Sequence, residues 1–489
     1  MAIPEEIKKF KPEGLDHACE IRFLGGKYYV YEISSRWNAE KNRPQKTTGK
    51  CIGKINAKDG FIPNANYMNA YHYKQLRPYS RNYGAIEMFR QLGRDIEESL
   101  RIAFPDIWRE IIVVSLLSLV YESTGKELKY DFEHSVLCDL YPDIGTCPES
   151  LGGFMDKLGT RSDDMEAFMK SFLKDGHKLL FDGTSIFCSS SDTCISPGYN
   201  SAHSRDGQYR LLYVFDRNSM EPVFYRLVPG WVVDKAAFKE TIRRLGPAAA
   251  GCTIIADKGF YSKQNASYLE EAGLSYILPL QYNTSLIPKA FDEEESDRRF
   301  DGRFTYKGRL IWYKVEGLGR GSNRLYIYKD EKRAADAGAA FTERQEKGYG
   351  NVEKGNGAFF KDKRRGIFSF ISNTGLDAKE VYLDYKERWD IENCFDYMKN
   401  NIATRAGYTR TNEQLESTSF INHIATLYFY RLIRALDAAG LRDRYTPADI
   451  IKHGRNITKI SEWTGWKNYT EITKDDIELF NRLGVNLLA

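Results

Sequence analysis

Apolar and polar positions along the chain alternate with two different periods. Residues 21–58 show the period-2 pattern of short strands, at about 21–24, 27–32 and 50–55, with a turn at Gly25 and Gly26. From about residue 85 to 172, Ile86, Phe89 and Leu92 recur at helical spacing. The pattern therefore predicts a small β region followed by a helical region.

The strand pattern returns at residue 178. Strands are predicted at 178–186, 209–216, 223–228, 252–257 and 275–280. Helices are predicted at about 234–245, with Asp234 as the N-cap, and from Ser262 to about residue 272. The predicted order is β-β-β-α-β-α-β, and the three successive strands at its start favour an antiparallel meander.

A polar, glycine-rich interruption follows at residues 292–365. Short strands are predicted there at 303–306, 310–315 and 325–328, with a charged helix at 331–347. The apolar strand 366–373 then resumes the earlier pattern, and a helix is predicted at 377–400. From residue 411 onward the pattern predicts helix throughout.

Composition narrows the class of protein. The 489 residues are 42% hydrophobic and 28% charged, which is typical of globular chains and excludes disorder as the main state. The eight cysteines include no CxxC pair and are interpreted as reduced thiols. No apolar run reaches the roughly 20 residues that span a bilayer, and no signal peptide precedes the first strand. We therefore expect a soluble intracellular protein without a membrane partner.

The net charge of +4 does not by itself indicate a nucleic-acid partner. Residues 21–58, however, contain nine basic and two acidic residues, together with three tyrosines and a tryptophan. Such a segment could bind a phosphate backbone, or it could be a solvated surface hairpin. The segment alone leaves both interpretations equally open.

Two aspartates stand at positions where strands usually carry apolar residues. Asp182 lies within the strand KLLFDGTSI, and Asp257 ends the strand CTIIAD. A single such residue is more often a turn or cap than a ligand. Two of them on strands that could be neighbours favour a metal site, because hard divalent cations prefer carboxylate oxygens.

The predicted helix 377–400 carries a third group of polar residues. Tyr385, Arg388, Glu392 and Lys399 lie 0, 3, 7 and 14 positions along it. At about 100° per residue they fall within about 60° of one another, on a single face. A salt-bridged surface helix gives the same pattern, since Arg388 and Glu392 are four residues apart. The two upstream aspartates favour a functional face instead.

These residues together resemble the DDE transposases of bacterial insertion sequences, in the group with the Y-(2)-R-(3)-E-(6)-K signature. Tyr385, Arg388, Glu392 and Lys399 fit that spacing without a gap. Asp182 in FDGTS is similar to the first aspartate of the family, and Asp257 in ADKGFYS to the second. The three acids are separated by 75 and 135 residues, and the resemblance covers about residues 178–400.

The resemblance implies an α+β multidomain chain built around an RNase H-like catalytic core, a mixed sheet flanked by helices and interrupted by a β-rich insertion. The implied parts are a small basic β region that contacts DNA (1–80), a helical domain that binds DNA ends (81–174), the first part of the core (175–290), the β-rich insertion (291–365), the second part of the core with the Tyr-Arg-Glu-Lys helix (366–405), and a helical C-terminal region that dimerises (406–489).

The resemblance also implies an activity. Asp182, Asp257 and Glu392 would be catalytic and would hold two Mg²⁺ ions, with Mn²⁺ as an alternative. Tyr385, Arg388 and Lys399 would bind DNA phosphates. The expected enzyme binds the terminal inverted repeats of an insertion sequence and catalyses cleavage and strand transfer on double-stranded DNA, in cut-and-paste transposition. It would act as a homodimer in the bacterial cytoplasm, on the nucleoid when bound to DNA.

Three other functions share parts of this pattern. An RNase H-like nuclease that is not linked to transposition would have the same acids, and an inactive, domesticated DNA-binding protein could have kept them. A glycosidase needs only two carboxylates. The Tyr-Arg-Glu-Lys face argues against the first and third, and the intact Asp182, Asp257 and Glu392 argue against the second.

Overall fold

A computed structural model describes most of the chain. The described residues are 3–12, 15, 18–38, 43–67, 79–187, 196–197, 207–282, 284–288, 299–319, 322–347, 364–386, 411–462, 465–470 and 472–488. They form two compact units. One comprises Met1–Tyr83 and Ile457–Ile472, and the other Gly84–Asn456 and Thr473–Ala489.

The strands of both units are numbered in chain order. They are β1 (Cys19–Leu24), β2 (Lys27–Asn38), β3 (Arg43–Asn56), β4 (Gly60–Pro63), β5 (Tyr79–Asn82), β6 (Lys178–Phe187), β7 (Ser196–Pro197), β8 (Gly207–Asp216), β9 (Glu221–Pro229), β10 (Thr253–Ala256), β11 (Ser275–Pro279), β12 (Gly302–Tyr306), β13 (Arg309–Gly317), β14 (Arg324–Asp330), β15 (Ile367–Ser372), β16 (Thr458–Glu462) and β17 (Gly465–Tyr469).

The α-helices are numbered in the same way. They are α1 (Glu5–Lys8), α2 (Ala65–Tyr67), α3 (Gly84–Leu92), α4 (Arg94–Ala103), α5 (Trp108–Tyr121), α6 (Gly125–His134), α7 (Leu137–Leu140), α8 (Pro148–Gly159), α9 (Ser162–Lys170), α10 (Asp234–Leu245), α11 (Lys263–Glu271), α12 (Glu331–Glu346), α13 (Ala378–Lys386), α14 (Asn412–Ala438), α15 (Pro447–Arg455) and α16 (Lys474–Arg482). Among the described residues, no helix is long and apolar enough to cross a membrane.

The smaller unit contains the predicted N-terminal β region. β1, β2, β3 and β4 form an antiparallel sheet in that order. One face buries a small apolar core that includes Val30, Ile52 and Ile55. On the other face the Arg22 guanidinium lies 5.2 Å above the Tyr31 ring. The period-2 pattern of residues 21–58 thus separates an apolar face from a polar one.

A second sheet of this unit differs from the sequence prediction. The region after residue 411 was predicted to be helical throughout, but β16 and β17 form a hairpin in it. β16 then pairs with β5 from the N-terminal part of the chain. These strands are short and have no long alternation of apolar and polar residues, so the sequence pattern does not predict them.

Within its described residues, the larger unit is built on a mixed sheet of ten strands. Nine follow the order β12-β13-β14-β15-β11-β10-β6-β8-β7, and β9 also pairs with β8. β6, β8 and β9 are antiparallel neighbours, whereas β6, β10 and β11 run parallel. The predicted order of three strands followed by alternating helices and strands is confirmed, as is the mixed α/β class. The strands of the interruption, β12–β14, continue this same sheet.

The two faces of the sheet are covered by different helices. On one face, called the back face, Phe181 of β6 contacts Phe238 of α10 at 5.3 Å between ring centroids. On the other, called the front face, the Tyr213 hydroxyl lies 2.7 Å from Nδ1 of His423 in α14. Burial lowers the pKa of His423 to about 3, so this ring is neutral at neutral pH.

Helix α14 also joins the sheet to the helical region. Its Phe420 ring lies 5.4 Å from Phe104, at the end of α4, and 5.5 Å from Phe168 of α9. Tyr428 packs so closely on Gly93 that a Cβ there would meet the ring at 2.2 Å. A side chain at position 93 would therefore displace α14 from the helical region.

Candidate active site

Asp182 and Asp257 lie side by side on two interior strands of the sheet, at the level where β10 ends. β6 and β10 are parallel neighbours, and their register pairs Phe181 with Ala256. Asp182 and Asp257 are the next residues on the two strands. Adjacent strands are about 4.8 Å apart, so the register brings the two backbone positions into direct proximity. The expectation that the two predicted strands are neighbours is confirmed.

The side chain of Asp182 belongs to the front face. Successive strand residues point to opposite faces, and Phe181 packs on the back face against Phe238. Asp182 is partly buried, and its Oδ1 accepts a hydrogen bond of 2.8 Å from the Gly183 N–H. This contact turns one carboxylate oxygen toward its own backbone and limits the rotation of the side chain.

A single turn of 3₁₀ helix, Lys258–Phe260, follows Asp257 and fixes its backbone. The Phe260 N–H donates to the Asp257 carbonyl at 3.0 Å. The Phe260 ring is buried and lies 5.4 Å from Phe238. Because this ring is packed on the back face, the turn holds the backbone of Asp257 at the end of β10.

Asn265 of α11 ties this turn to α10. Its buried side-chain amide donates to the Phe260 carbonyl at 2.8 Å and to the Lys235 carbonyl at 3.1 Å. The predicted cap Ser262 is confirmed, since its hydroxyl accepts from the Asn265 N–H at 3.0 Å. One buried amide therefore donates to two backbone carbonyls, and it joins three segments around Asp257.

Tyr385 is brought to Asp257 by α13. Its hydroxyl donates to Oδ1 of Asp257 at 3.3 Å, and its ring packs on Phe370 of β15 at 4.5 Å. The neighbouring Asp384 forms an ion pair with Lys178, the first residue of β6, with 2.5 Å between Oδ1 and Nζ. The last turn of α13 is thus attached to both strands that carry the aspartates.

Three predicted site residues lie outside the described residues. These are Arg388, Glu392 and Lys399. The structure consequently brings together three of the six predicted residues, namely Asp182, Asp257 and Tyr385.

A further ion pair lies next to this site and was not found from the sequence. Arg210 of β8 pairs with Asp234, and Oδ2 of Asp234 lies 3.2 Å from where a Cβ of Gly259 would stand. Burial raises the pKa of Asp234, the positive charge of Arg210 opposes that shift, and the negative charge of Asp257 adds to it. The carboxylates of Asp234 and Asp257 are therefore electrostatically coupled.

The prediction that Asp234 caps α10 is wrong by one residue. Val233 occupies the N-cap position, and Asp234 is the first helical residue. Its carboxylate is directed to Arg210 instead of serving as a cap, although a negative charge in the first turn still suits the helix dipole. In the sequence, the only sign of the Arg210–Asp234 ion pair is the single arginine within the mostly apolar strand YRLLYVFD.

The described residues do not form a complete metal-binding cluster. No group of three or more His, Cys, Asp or Glu side chains among them could hold an ion. Asp182 and Asp257 do supply two carboxylates on one face of adjacent strands. That donor set suits a hard divalent cation, which often takes one or two protein carboxylates together with substrate phosphates and water.

Comparisons with known proteins place this arrangement in a family. The sequence profile of the family described as "Transposase DDE domain" matches residues 174–428. No curated protein matches the chain. Among solved structures, the chain is similar to the piggyBac transposase in a synaptic complex with hairpin DNA, with 12% identity over 76% of this chain and 77% of that chain and a TM-score of 0.42. It is also similar to the Mos1 transposase in a paired-end complex with the left transposon end, with 18% identity over 34% of this chain and 56% of that chain and a TM-score of 0.16.

The matched segment begins just before β6 and ends within α14, so it includes both strand aspartates and Tyr385. It covers more than half of the 489 residues. The chain belongs to the family of DDE transposases, enzymes that cleave and transfer nucleic-acid strands.

Proposed function

We propose that this protein is the DNA transposase of a bacterial insertion sequence. It binds the terminal inverted repeats of the element and carries out strand cleavage and strand transfer on double-stranded DNA, in cut-and-paste transposition. One observation carries the proposal. Asp182 and Asp257 occupy equivalent positions on adjacent strands, and the first residue of the Tyr-Arg-Glu-Lys signature is hydrogen-bonded to one of them.

The proposed catalytic core is RNase H-like. The support is the strand arrangement, in which the antiparallel strands β9, β8 and β6 are followed by the parallel strands β10 and β11. In such a sheet the carboxyl ends of the parallel strands meet at one edge, which is where ligands bind in open α/β sheets. Asp257 follows the carboxyl end of β10, and Asp182 lies beside it within the longer strand β6.

We assign the metal-binding role to Asp182, Asp257 and Glu392. Carboxylate oxygens on a partly buried surface suit Mg²⁺, with Mn²⁺ as an alternative and two ions as the proposed stoichiometry. Bound ions of this kind activate a water or a 3′-hydroxyl and stabilise charge on the leaving oxygen. Asp182 is held for this task by the Gly183 N–H, and Asp257 by the Lys258–Phe260 turn.

The signature residues would hold the DNA. Tyr385 donates its hydroxyl hydrogen to the Asp257 carboxylate in this structure, and with DNA bound it would donate that hydrogen to a phosphate beside the scissile bond instead. Arg388 and Lys399, which follow on the same predicted helix face, would pair with neighbouring phosphates. We further propose a homodimer in the active complex, with one subunit for each of the two ends that transposition joins.

The test is a strand-cleavage assay with purified full-length protein and a DNA duplex that carries the element end, with and without Mg²⁺. The wild type is expected to nick the end only when Mg²⁺ is present, and Asp182→Asn is expected to lose at least a thousandfold in rate. Asp163→Asn makes the same chemical change on an exposed helix turn and should retain the wild-type rate. An Asp182→Asn protein that cleaves normally would refute the assignment.

The products separate this proposal from its alternatives. Cleaved ends that are joined to a target plasmid indicate transposition. Cleavage without joining would favour a nuclease that is not linked to transposition. Binding without Mg²⁺-dependent cleavage, by a protein with wild-type folding, would favour an inactive domesticated DNA-binding protein.

A further inference from the structure

Strands β2 and β3 extend well beyond the sheet to which they belong. β1 pairs only with residues 27–32 of β2, and β4 only with residues 53–56 of β3. Past these points, residues 33–38 and 43–48 form strand pairs only with each other among the described residues, although the Ile33 N–H still donates to the Ala18 carbonyl at 2.8 Å. This pair of strand ends is called the ribbon. At about 3.4 Å per residue its six residue pairs extend about 17 Å from the sheet.

The base of the ribbon is irregular. The register between β2 and β3 shifts between Val30 and Tyr31, and again between Tyr31 and Ile33. Such bulges bend a strand pair and increase its twist. The ribbon is therefore a bent extension of the sheet. One of its faces is tied to β1, because Lys46 pairs with Glu20 and the Thr48 hydroxyl accepts from Arg22, and residues 43–48 are all exposed.

The two faces of the ribbon carry different residues. Opposite residues of an antiparallel pair share a face, and faces alternate along each strand. The register therefore places Arg43, Gln45 and Thr47 on one face, opposite positions 38, 36 and 34, which are asparagine, arginine and serine. The other face contains the positions of Ile33, Ser35, Trp37, Pro44, Lys46 and Thr48.

The first face has an unusual composition for a solvated strand pair. Exposed lysines alone would be explained as protection of free strand edges against aggregation. The arginine and glutamine at positions 43 and 45, however, are residue types that pair with the edges of guanine and adenine. An exposed tryptophan, Trp37, with 64% of its surface accessible, also lies near the tip.

Charge complementarity identifies the kind of partner. Residues 33–50 include five basic residues and one acidic residue. The phosphate backbone of DNA attracts such a segment regardless of sequence. The major groove of B-DNA, about 12 Å wide and 8.5 Å deep, admits a two-stranded β-ribbon. The deep, narrow major groove of A-form RNA does not admit side chains, so duplex RNA is excluded as the occupant.

We propose that the ribbon enters the major groove of double-stranded DNA and reads base edges with Arg43 and Gln45. Lys50, near the base of the ribbon, contacts the phosphate backbone. This inference rests on the proposed function, for which DNA is the substrate, and it assigns the recognition of element ends to a surface on the smaller unit.

The experiment is a selection of full-length protein on a library of DNA duplexes with a random centre, followed by affinity measurements on a selected duplex and a scrambled one. Wild type is expected to prefer the selected duplex. Arg43→Ala and Gln45→Ala should each reduce that preference about tenfold or more, while binding to scrambled DNA changes by less than about threefold. Lys54→Ala removes a charge from β3 outside the ribbon and should leave the preference unchanged.

Two results would overturn the inference. One is a wild-type protein that selects no sequence. The other is a preference that Arg43→Ala and Gln45→Ala both retain. Since these positions are exposed, unchanged thermal melting of the variants will exclude misfolding as the cause of any loss. Mg²⁺-dependent cleavage by the wild type, measured in parallel, distinguishes the two proposals: cleavage with an unaltered preference removes only the ribbon assignment, whereas absent cleavage removes the proposed function.

Discussion

The hydroxyl of Tyr385 lies 3.3 Å from Oδ1 of Asp257, although the two residues are 128 positions apart in the chain. The contact links the last turn of α13 to the end of β10, and hence the signature helix to a strand aspartate. A hydrogen bond to a charged group contributes about 1.5–3 kcal/mol when the geometry is good. This one is long, so we expect a smaller effect in the absence of substrate than with DNA bound.

Removing only that hydroxyl gives the first prediction. Tyr385→Phe should slow Mg²⁺-dependent strand cleavage about tenfold, because the hydroxyl that donates to Asp257 in the free protein would no longer be present to donate to the DNA phosphate. The ring packing on Phe370 is retained, so melting should change little. Tyr382→Phe, one turn earlier on α13, is the matched control, and its cleavage rate should stay within twofold of wild type. Equal rates for the two variants would contradict a role for the Tyr385 hydroxyl.

The second prediction concerns the turn that carries Asp257. Asn265→Ala leaves the carbonyls of Phe260 and Lys235 without their buried donor, which should cost about 2 kcal/mol in the free energy of unfolding. The freed turn should also raise the Mg²⁺ concentration required for half-maximal cleavage by several-fold. Ser262→Ala, which removes the adjacent helix cap, controls for lost stability alone. A Mg²⁺ requirement that rises equally in both variants would show that Asn265 does not position Asp257.

The third prediction tests the attachment of α13 to the sheet. The Lys178–Asp384 ion pair is half-buried, with 35% and 9% of the two side chains exposed. Asp384→Asn should lower the free energy of unfolding by about 1–2 kcal/mol, and a double-mutant cycle with Lys178→Met should give a coupling of about 1 kcal/mol. Lys379→Met, at an exposed position of α13, should be nearly neutral. A coupling energy of zero would mean that the pair does not hold the helix.

The fourth prediction is a pH dependence of stability. Burial raises the pKa of Glu416, in the first turns of α14, from its usual 4.5 to about 7; Arg244 and Arg226 oppose the shift, and Glu166 adds to it. The folded state therefore binds this proton more tightly than the unfolded state. The contribution of Glu416 to the free energy of unfolding is fully present below pH 4.5. It is lost as the pH rises to about 7, at up to about 1.4 kcal/mol per pH unit.

Chemical denaturation between pH 4 and pH 8 measures this slope. Glu416→Gln should remove the contribution, so the difference in unfolding free energy between the variant and wild type should grow in favour of the variant as the pH rises. Glu413→Gln changes an exposed carboxylate of the same helix turn. Its unfolding free energy, plotted against pH, should stay parallel to the wild-type curve. Parallel curves for Glu416→Gln as well would show that this carboxyl has an ordinary pKa in the folded protein.

Much of the large sheet could be predicted from the sequence because its central strands are buried on both faces. Asp257 and Asp182 are the only acidic residues in CTIIAD and KLLFDGTSI, and each directly follows a run of apolar residues, so the pattern singles them out. That the strands of Asp182 and Asp257 could be neighbours is confirmed by the parallel pairing of β10 with β6. The signature spacing identified Tyr385, and the structure brings its hydroxyl to Asp257.

Other parts of the site could not be predicted because they depend on single polar residues. Arg210 and Asp234 meet only after β8 and α10 are placed on the sheet, and no spacing in the sequence encodes their contact. Asn265 has the same property, since its partners are backbone carbonyls that any residue could supply. The β5–β16 pairing joins segments from opposite parts of the chain, and short edge strands give too weak a period to detect.

The pairing of β16 with β5 also fixes when the smaller unit can be completed during synthesis. Tyr79–Asn82 leaves the ribosome early, but its partner Thr458–Glu462 emerges only after nearly the whole polypeptide has been translated. A nascent chain therefore has an unfinished three-stranded sheet for most of its elongation. A premature stop before residue 458 would yield a product that keeps both strand aspartates yet never closes that sheet.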